Sequence, residues 1–134
     1  MGKLIVIEGT DGSGKSTQFQ KLTQRLKDEG TAFKTLVFPQ YNKASSALIR
    51  MYLGGEFGSS PSDVNAYAAS AFYAVDRYAS FKQDWGQWYD DGGVIVSDRY
   101  TTSNAVHQAS KEPGDQQQTF LKWLYEFEYD CLGL

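Results

Sequence analysis

Cysteine and histidine are almost missing from this 134-residue chain, with Cys131 and His107 the single representative of each. One cysteine excludes an internal disulfide framework and any metal site built from several thiolates, and a buried thiol is the expected state of Cys131. Positive charge is also scarce. Thirteen lysines and arginines face 16 acidic residues for a net charge of −3, so no broad nucleic-acid surface is expected and any anion site must use a few placed groups. No apolar run approaches the ~20 residues of a membrane span. Met1 leads straight into an apolar strand without a basic-apolar signal, so a cytoplasmic location without membrane partners is expected. Repeats, linkers and low-complexity segments are lacking too, and 41% hydrophobic with 22% charged residues fits one soluble globular domain over residues 1–134.

Glycine, by contrast, is concentrated where it has physical meaning. Gly9-Thr10-Asp11-Gly12-Ser13-Gly14-Lys15-Ser16 fits the phosphate-binding P-loop pattern, follows the apolar run Leu4-Ile5-Val6-Ile7 and precedes a helical segment with Thr17 in its first turn. Glycines let the backbone N–H groups approach a polyphosphate, and the helix aims its positive end at the same anion. Lys15 is placed to reach the β- and γ-phosphates, and the Ser16 hydroxyl to hold Mg²⁺. The pattern arises by accident in roughly one chain in two hundred of this length. A nucleoside-triphosphate site is therefore expected.

Three near-continuous apolar runs predict parallel strands covered on both faces, at Leu4 to Glu8, Lys34 to Phe38 and Val94 to Asp98. Between and after them the pattern predicts helices over Lys15 to Glu29, stopping at Gly30, and over Ser45 to Leu53. A third helix is predicted to start at Ser60, with Pro61 at its first position and Asp63 closing a capping box, and to run to about Trp85. Asp115 with Gln118 marks another start, and Phe120, Leu121, Leu124, Phe127 and Cys131 predict its buried face. The order β-α-β-α-α-β-α-α is that of a doubly wound, three-layer P-loop α/β fold with a parallel sheet.

Ligands of such a sheet collect beyond the carboxyl ends of its strands, which puts Asp98-Arg99-Tyr100 near the P-loop. A carboxylate there can hold water on Mg²⁺ and an arginine can bridge two phosphates, although a surface ion pair is the plain alternative. Tyr73 and Arg77, four apart, share a helix face and can present a ring and a guanidinium to one ligand. A core tyrosine beside a solvated arginine is the commoner meaning of such a pair.

The segments Ile7-Glu8-Gly9-Thr10-Asp11-Gly12-Ser13-Gly14-Lys15-Ser16-Thr17, Phe38-Pro39, Tyr73 with Arg77, and Asp98-Arg99-Tyr100 together resemble the thymidylate kinase family in order and spacing. The resemblance covers essentially the whole chain and implies ATP-dependent phosphorylation of dTMP to dTDP with Mg²⁺. It implies that Asp11 accepts from the sugar 3′-hydroxyl, Tyr73 stacks on thymine, Arg77 donates to thymine O4, and Asn104 with Gln108 contacts the base. His107 falls where relatives place a tyrosine near the sugar, a helix-surface histidine being the alternative. Phe38, Pro39 and Tyr41 would form the turn holding the acceptor phosphate, and Gln40 stands where many relatives carry arginine. The resemblance also implies a homodimer packed through helices.

The acceptor is a phosphate monoester, mostly dianionic at neutral pH, so no general base is required. Catalysis is expected from alignment and charge neutralisation by Lys15, Arg99 and Mg²⁺ held through Ser16 and Asp98. Gly12 stands where one subgroup of the family places a P-loop arginine, so the resemblance is to the subgroup whose transition-state arginines lie in a lid. No basic segment of that kind follows Asp98. A C-terminally incomplete kinase domain, silent and poorly soluble by itself, is the expectation. A nucleotide-binding chain without turnover and a deoxynucleoside kinase are the alternatives; the latter would favour Asn-Ile at Thr10-Asp11 and Glu-Arg-Ser at Asp98-Arg99-Tyr100.

Overall fold

The computed structural model describes residues 1–134, which form two compact units: Met1–Phe38 with Phe81–Ser103, and Pro39–Ser80 with Asn104–Leu134. The first unit carries a three-stranded parallel sheet in the order β1-β3-β2. The strands are β1 (Lys3–Ile7), β2 (Phe33–Val37) and β3 (Val94–Asp98). Their registers end together, Ile7 and Val37 both opposite Asp98, so the chain leaves all three strands at one edge. Only the third strand matches its sequence limits; the other two begin and end one residue earlier than expected. Ile95, Val96 and Ser97 are buried, as a central strand requires. The edge strand β2 is not covered on both faces, since Val37 is exposed and Leu36 alone of its residues is fully buried.

Helix α1 (Lys15–Asp28) packs on β1 and β3. It ends as the sequence predicts, with Gly30 at φ 71° and the amides of Gly30 and Thr31 donating back to Lys27 and Leu26 carbonyls at 3.0 and 2.9 Å. This glycine-based closure satisfies the carbonyls that a helix end otherwise strands. Leu36, Phe38, Trp85, Ile95 and Tyr100 form the core of the unit, with the Trp85 and Phe81 rings edge to face at 4.9 Å. Each such buried aromatic or aliphatic side chain contributes about 1.5–3 kcal/mol.

The second unit is helical. It holds a 3₁₀ turn (Ala44–Ser46), α2 (Ala47–Leu53), α3 (Ala66–Ser80), most of α5 (Thr101–Ala109) and α6 (Gln117–Tyr125). Its core joins Ala66, Ala105, Ala109, Phe120 and Leu124, with Tyr67 edge to face on Phe120 at 5.3 Å. In the first unit a π turn at Phe81–Trp85 leads into α4 (Gly86–Asp90). The helical path therefore runs to Asp90, past the expected end at Trp85.

Two helix starts differ from expectation. The capping box of Ser60 and Asp63 forms, but it closes a separate 3₁₀ turn, Pro61–Asp63. Val64 then turns extended, at φ −116° and ψ 120°, and buries its side chain, so the helix begins again at Ala66 with the Asn65 side chain accepting from the Ala68 amide at 2.9 Å. Asp115 caps nothing; the Pro113 carbonyl accepts from the Gln116 and Gln117 amides at 2.8 and 3.1 Å instead. The end of α6 departs further, because a π turn over Glu126–Cys131 widens the helix. The wider turn carries Glu128 inward and leaves Cys131 exposed rather than buried. No helix is long and apolar enough to cross a membrane.

Candidate functional site

The loop between β1 and α1 has the backbone of an anion cradle. Gly12 and Gly14 lie at φ 77° and 90°, conformations that a side chain would strain, while the Ser13 amide closes the turn onto the Thr10 carbonyl at 3.2 Å. Gly9 allows close approach, since a Cβ there would meet Ser13 Oγ at 2.6 Å. Helix α1 starts at Lys15 with no side-chain cap and no acidic residue in its first turn, so its dipole end near Ser16 and Thr17 stays available to an anion. Asp11, within the loop, has a fully exposed side chain.

The other wall comes from the end of β3. Lys15 Nζ donates to Asp98, and both side chains are shielded, 11% and 22% exposed. Arg99 is the one non-glycine residue at positive φ, 67°, a conformation costing of order 1–3 kcal/mol for a side-chain-bearing residue. Its amide donates to the Ile7 carbonyl at 3.1 Å, and Ser97 Oγ donates to its carbonyl at 2.7 Å. The guanidinium reaches Ser103 Oγ at 3.2 Å and lies 3.6 Å from the Asp11 carboxylate. One unanticipated residue organises this corner: Glu8 accepts from the Tyr100 amide at 3.0 Å, the Ser103 amide at 3.2 Å and the Ser103 hydroxyl. A carboxylate ending an apolar strand just before a phosphate loop was the available signal.

The oxygen donors at this corner are of the type that Mg²⁺ takes. No group of three or more His, Cys, Asp or Glu side chains is gathered anywhere, and Mg²⁺ is held by one or two protein oxygens plus phosphates and water rather than by an all-protein cage. Ser16 and Asp98 supply that number.

The second unit gathers a different set. Tyr73 and Arg77 lie on α3, and burial pushes the Tyr73 hydroxyl up to about 12, with Tyr41 and Tyr52 adding to the rise and the Arg77 charge opposing it. Tyr73 therefore stays neutral at ordinary pH. Arg77 is 2% exposed and donates from Nε and Nη2 to both oxygens of Glu128, which is fully buried. This buried ion pair reaches across 51 residues of sequence. Asn104 and Gln108 are one turn apart on α5 and 5% and 4% exposed; Asn104 Nδ2 donates to Ser70 Oγ at 3.0 Å. The remaining oxygens, Asn104 Oδ1 and Gln108 Oε1, are buried acceptors with no donor. Such atoms cost roughly 1–3 kcal/mol unless something donates to them. His107 is exposed.

The turn after β2 is tied from the same helix. Asp76, 1% exposed, accepts from the Gln40 amide at 2.8 Å and from Ser45 Oγ at 2.6 Å. Phe38 is buried in the first unit, Pro39 half-buried and Tyr41 exposed in the second. Asp76 and Glu128 were missed because their partners are distant in sequence.

A family model for thymidylate kinase matches residues 7–127. The chain belongs to the thymidylate kinase family. It is 35% identical over 134 residues to the thymidylate kinase of Mycobacterium tuberculosis, covering 98% of this chain and 60% of that protein. The human thymidylate kinase is 32% identical over 114 residues, covering 83% of this chain and 50% of the relative. Among solved structures, the Candida albicans thymidylate kinase superposes with a TM-score of 0.68 at 27% identity, over 92% of this chain and 56% of that one. The α/β fold with its parallel sheet is accordingly the P-loop fold of this family. The chain spans about 60% of the length of the Mycobacterium relative.

Proposed function

We propose that this polypeptide supplies the nucleotide sites of an ATP-dependent dTMP kinase, an enzyme forming dTDP for dTTP synthesis in the cytoplasm. The observation that carries the reading is, in the first unit, an uncapped P-loop helix start; the second unit separately supports it with two buried, donor-seeking amide oxygens, Asn104 Oδ1 and Gln108 Oε1. The loop from Gly9 to Thr17 and Lys15 bind the triphosphate. Lys15 exchanges its contact with Asp98 for the phosphates when ATP enters, which frees the Asp98 carboxylate. Ser16 and Asp98 would hold Mg²⁺, which would supply neutralisation of phosphate charge.

Tyr73 stacks on thymine with a neutral ring, and Arg77 donates to O4. Thymine N3–H is a donor that the Asn104 and Gln108 oxygens accept. Asp11 accepts from the 3′-hydroxyl, His107 lies toward the sugar, and Phe38, Pro39 and Tyr41 form the acceptor-phosphate turn. Arg99 bridges the two substrates' phosphates. The acceptor oxygen is already anionic, so these side chains move no proton and act by positioning and charge compensation. A homodimer is the expected assembly, with neither nucleic acid nor membrane as a partner.

The test is a panel of nucleoside monophosphates and nucleosides incubated with ATP and Mg²⁺, run on this chain and on any longer product of the same gene, with product resolved by chromatography. Formation of dTDP above all other products supports the reading. Phosphorylation of nucleosides in preference to monophosphates overturns it.

A further inference from the structure

Glu8 lies at the junction of β1 and the phosphate loop, yet none of its contacts points into the loop. All three run to the segment after β3, to the Tyr100 amide, the Ser103 amide and the Ser103 hydroxyl. Ser103 Oγ passes the connection on, because it also accepts from Arg99 Nη1 at 3.2 Å. The backbone of Arg99 is fastened on both other sides, its amide to Ile7 and its carbonyl to Ser97 Oγ. What these contacts hold is the only non-glycine residue in the left-handed region, at φ 67°.

We propose that Glu8 is a positioning residue for Arg99, keeping its backbone left-handed through the Tyr100 amide and its guanidinium aimed through Ser103. This rests on the reading of Arg99 as the group that bridges the substrates' phosphates. The physical logic is over-determination: a side-chain-bearing residue stays at positive φ only where its surroundings leave no relaxed alternative. Removing the Glu8 carboxylate strands the Tyr100 and Ser103 amides and frees the turn to relax toward negative φ, swinging the guanidinium away. Helix capping explains the two amide contacts but not the hydroxyl that also receives the Arg99 side chain. A cap serves α5 equally whatever residue occupies position 99; a positioning residue does not.

The experiment compares Glu8→Ala and Glu8→Gln in an active parent, this chain or a longer product of its gene, and in an Arg99→Ala background, reading dTDP formation, dTMP affinity by calorimetry and melting temperature. In the parent, Glu8→Ala should lower the rate by about 10- to 100-fold, the scale of an ångström-size misplacement. Glu8→Gln, which keeps the Oε1 acceptor, should recover most of it. In the Arg99→Ala background Glu8→Ala should change the rate less than about two-fold, although the melting temperature falls equally in both, because residues acting as one unit are not additive. Equal fold-losses in both backgrounds overturn the proposal, as does a Gln variant as damaged as Ala. Should Glu8→Ala not fold, Ser103→Ala severs the same relay and is read in its place. The intraresidue NOE between the Arg99 amide and Hα, strong only at positive φ where the two protons approach, reports the sign of φ without any turnover. Departure from positive φ in Glu8→Ala supports the proposal and retention overturns it, even if the parent binds no dTMP and the functional reading itself fails.

Discussion

The Arg77–Glu128 pair gives the sharpest stability prediction. Both groups are almost fully buried and the contact is two-pronged, so neither partner can turn to water when the other is removed. Glu128→Leu leaves a guanidinium buried without its counter-charge, a change worth about 3–5 kcal/mol. Arg77→Leu leaves a carboxylate in the same position and should cost a similar amount. The double variant removes both charges, and such replacements are neutral or stabilising by about 1–4 kcal/mol, so its stability should be close to that of the parent. The coupling between the two sites is therefore several kcal/mol, far above the ~0.5 kcal/mol within which independent sites add. Urea unfolding followed by tryptophan fluorescence measures all four species, with equal slopes as the check that midpoints report stability. If either single variant loses less than about 1 kcal/mol, or the double loses the sum of the singles, the pair is not the buried clamp described.

The same geometry governs how base choice is tested. Arg77→Leu alone confounds reading with stability, so the dTMP to dCMP preference should be compared between Glu128→Leu/Arg77→Leu and the parent, and most of a preference as large as about 10⁴-fold should collapse. Gln108→Met should move two readouts in opposite directions. Removing a donor-less buried oxygen leaves the free protein as stable or more so in urea, while dTMP affinity by calorimetry falls about ten-fold. In a complete enzyme, Lys15→Ala should abolish phosphoryl transfer, a barrier increase of about 3–4 kcal/mol or more in a coupled assay, and leave dTMP affinity within a few-fold. Tyr73 ionises at pH 10 in the unfolded chain but near 12 in the fold, so its contribution is fully present below pH 10 and is lost between 10 and 12. Tyr73→Phe should remove that part of the alkaline loss, read from melting temperature against pH, while dTMP affinity stays within about three-fold.

Much of the fold was legible because its signals are local. Val94 to Asp98 could be placed without error, since a continuous apolar run after Gly92-Gly93 reads as a buried central strand. The P-loop and its helix start follow from glycine chemistry alone. Ser60 and Asp63 formed the box their types predict, yet burial of Val64 decided where the helix resumes, and no capping pattern carries that information. The face of α6 was read with a period of 3.6 and failed once the π turn changed the period, which is why Cys131 lies outside and Glu128 inside. Tyr73, Arg77, Asn104 and Gln108 were legible as candidates from spacing and resemblance. Their supports, Glu128, Asp76 and Glu8, were not, because each acts on a partner that only the folded chain brings near.

Calorimetric titration of dTMP into the chain, with dCMP as its matched control, tests the central claim most directly. Thymine offers N3–H to the Asn104 and Gln108 oxygens and O4 to Arg77, whereas cytosine offers an unprotonated N3 and an amino group, so both ends of its base edge mismatch. Saturable one-site binding of dTMP is expected, with affinity for dCMP weaker by at least about 100-fold. Equal affinities, or binding of neither monophosphate by a chain that still binds ATP, would contradict it.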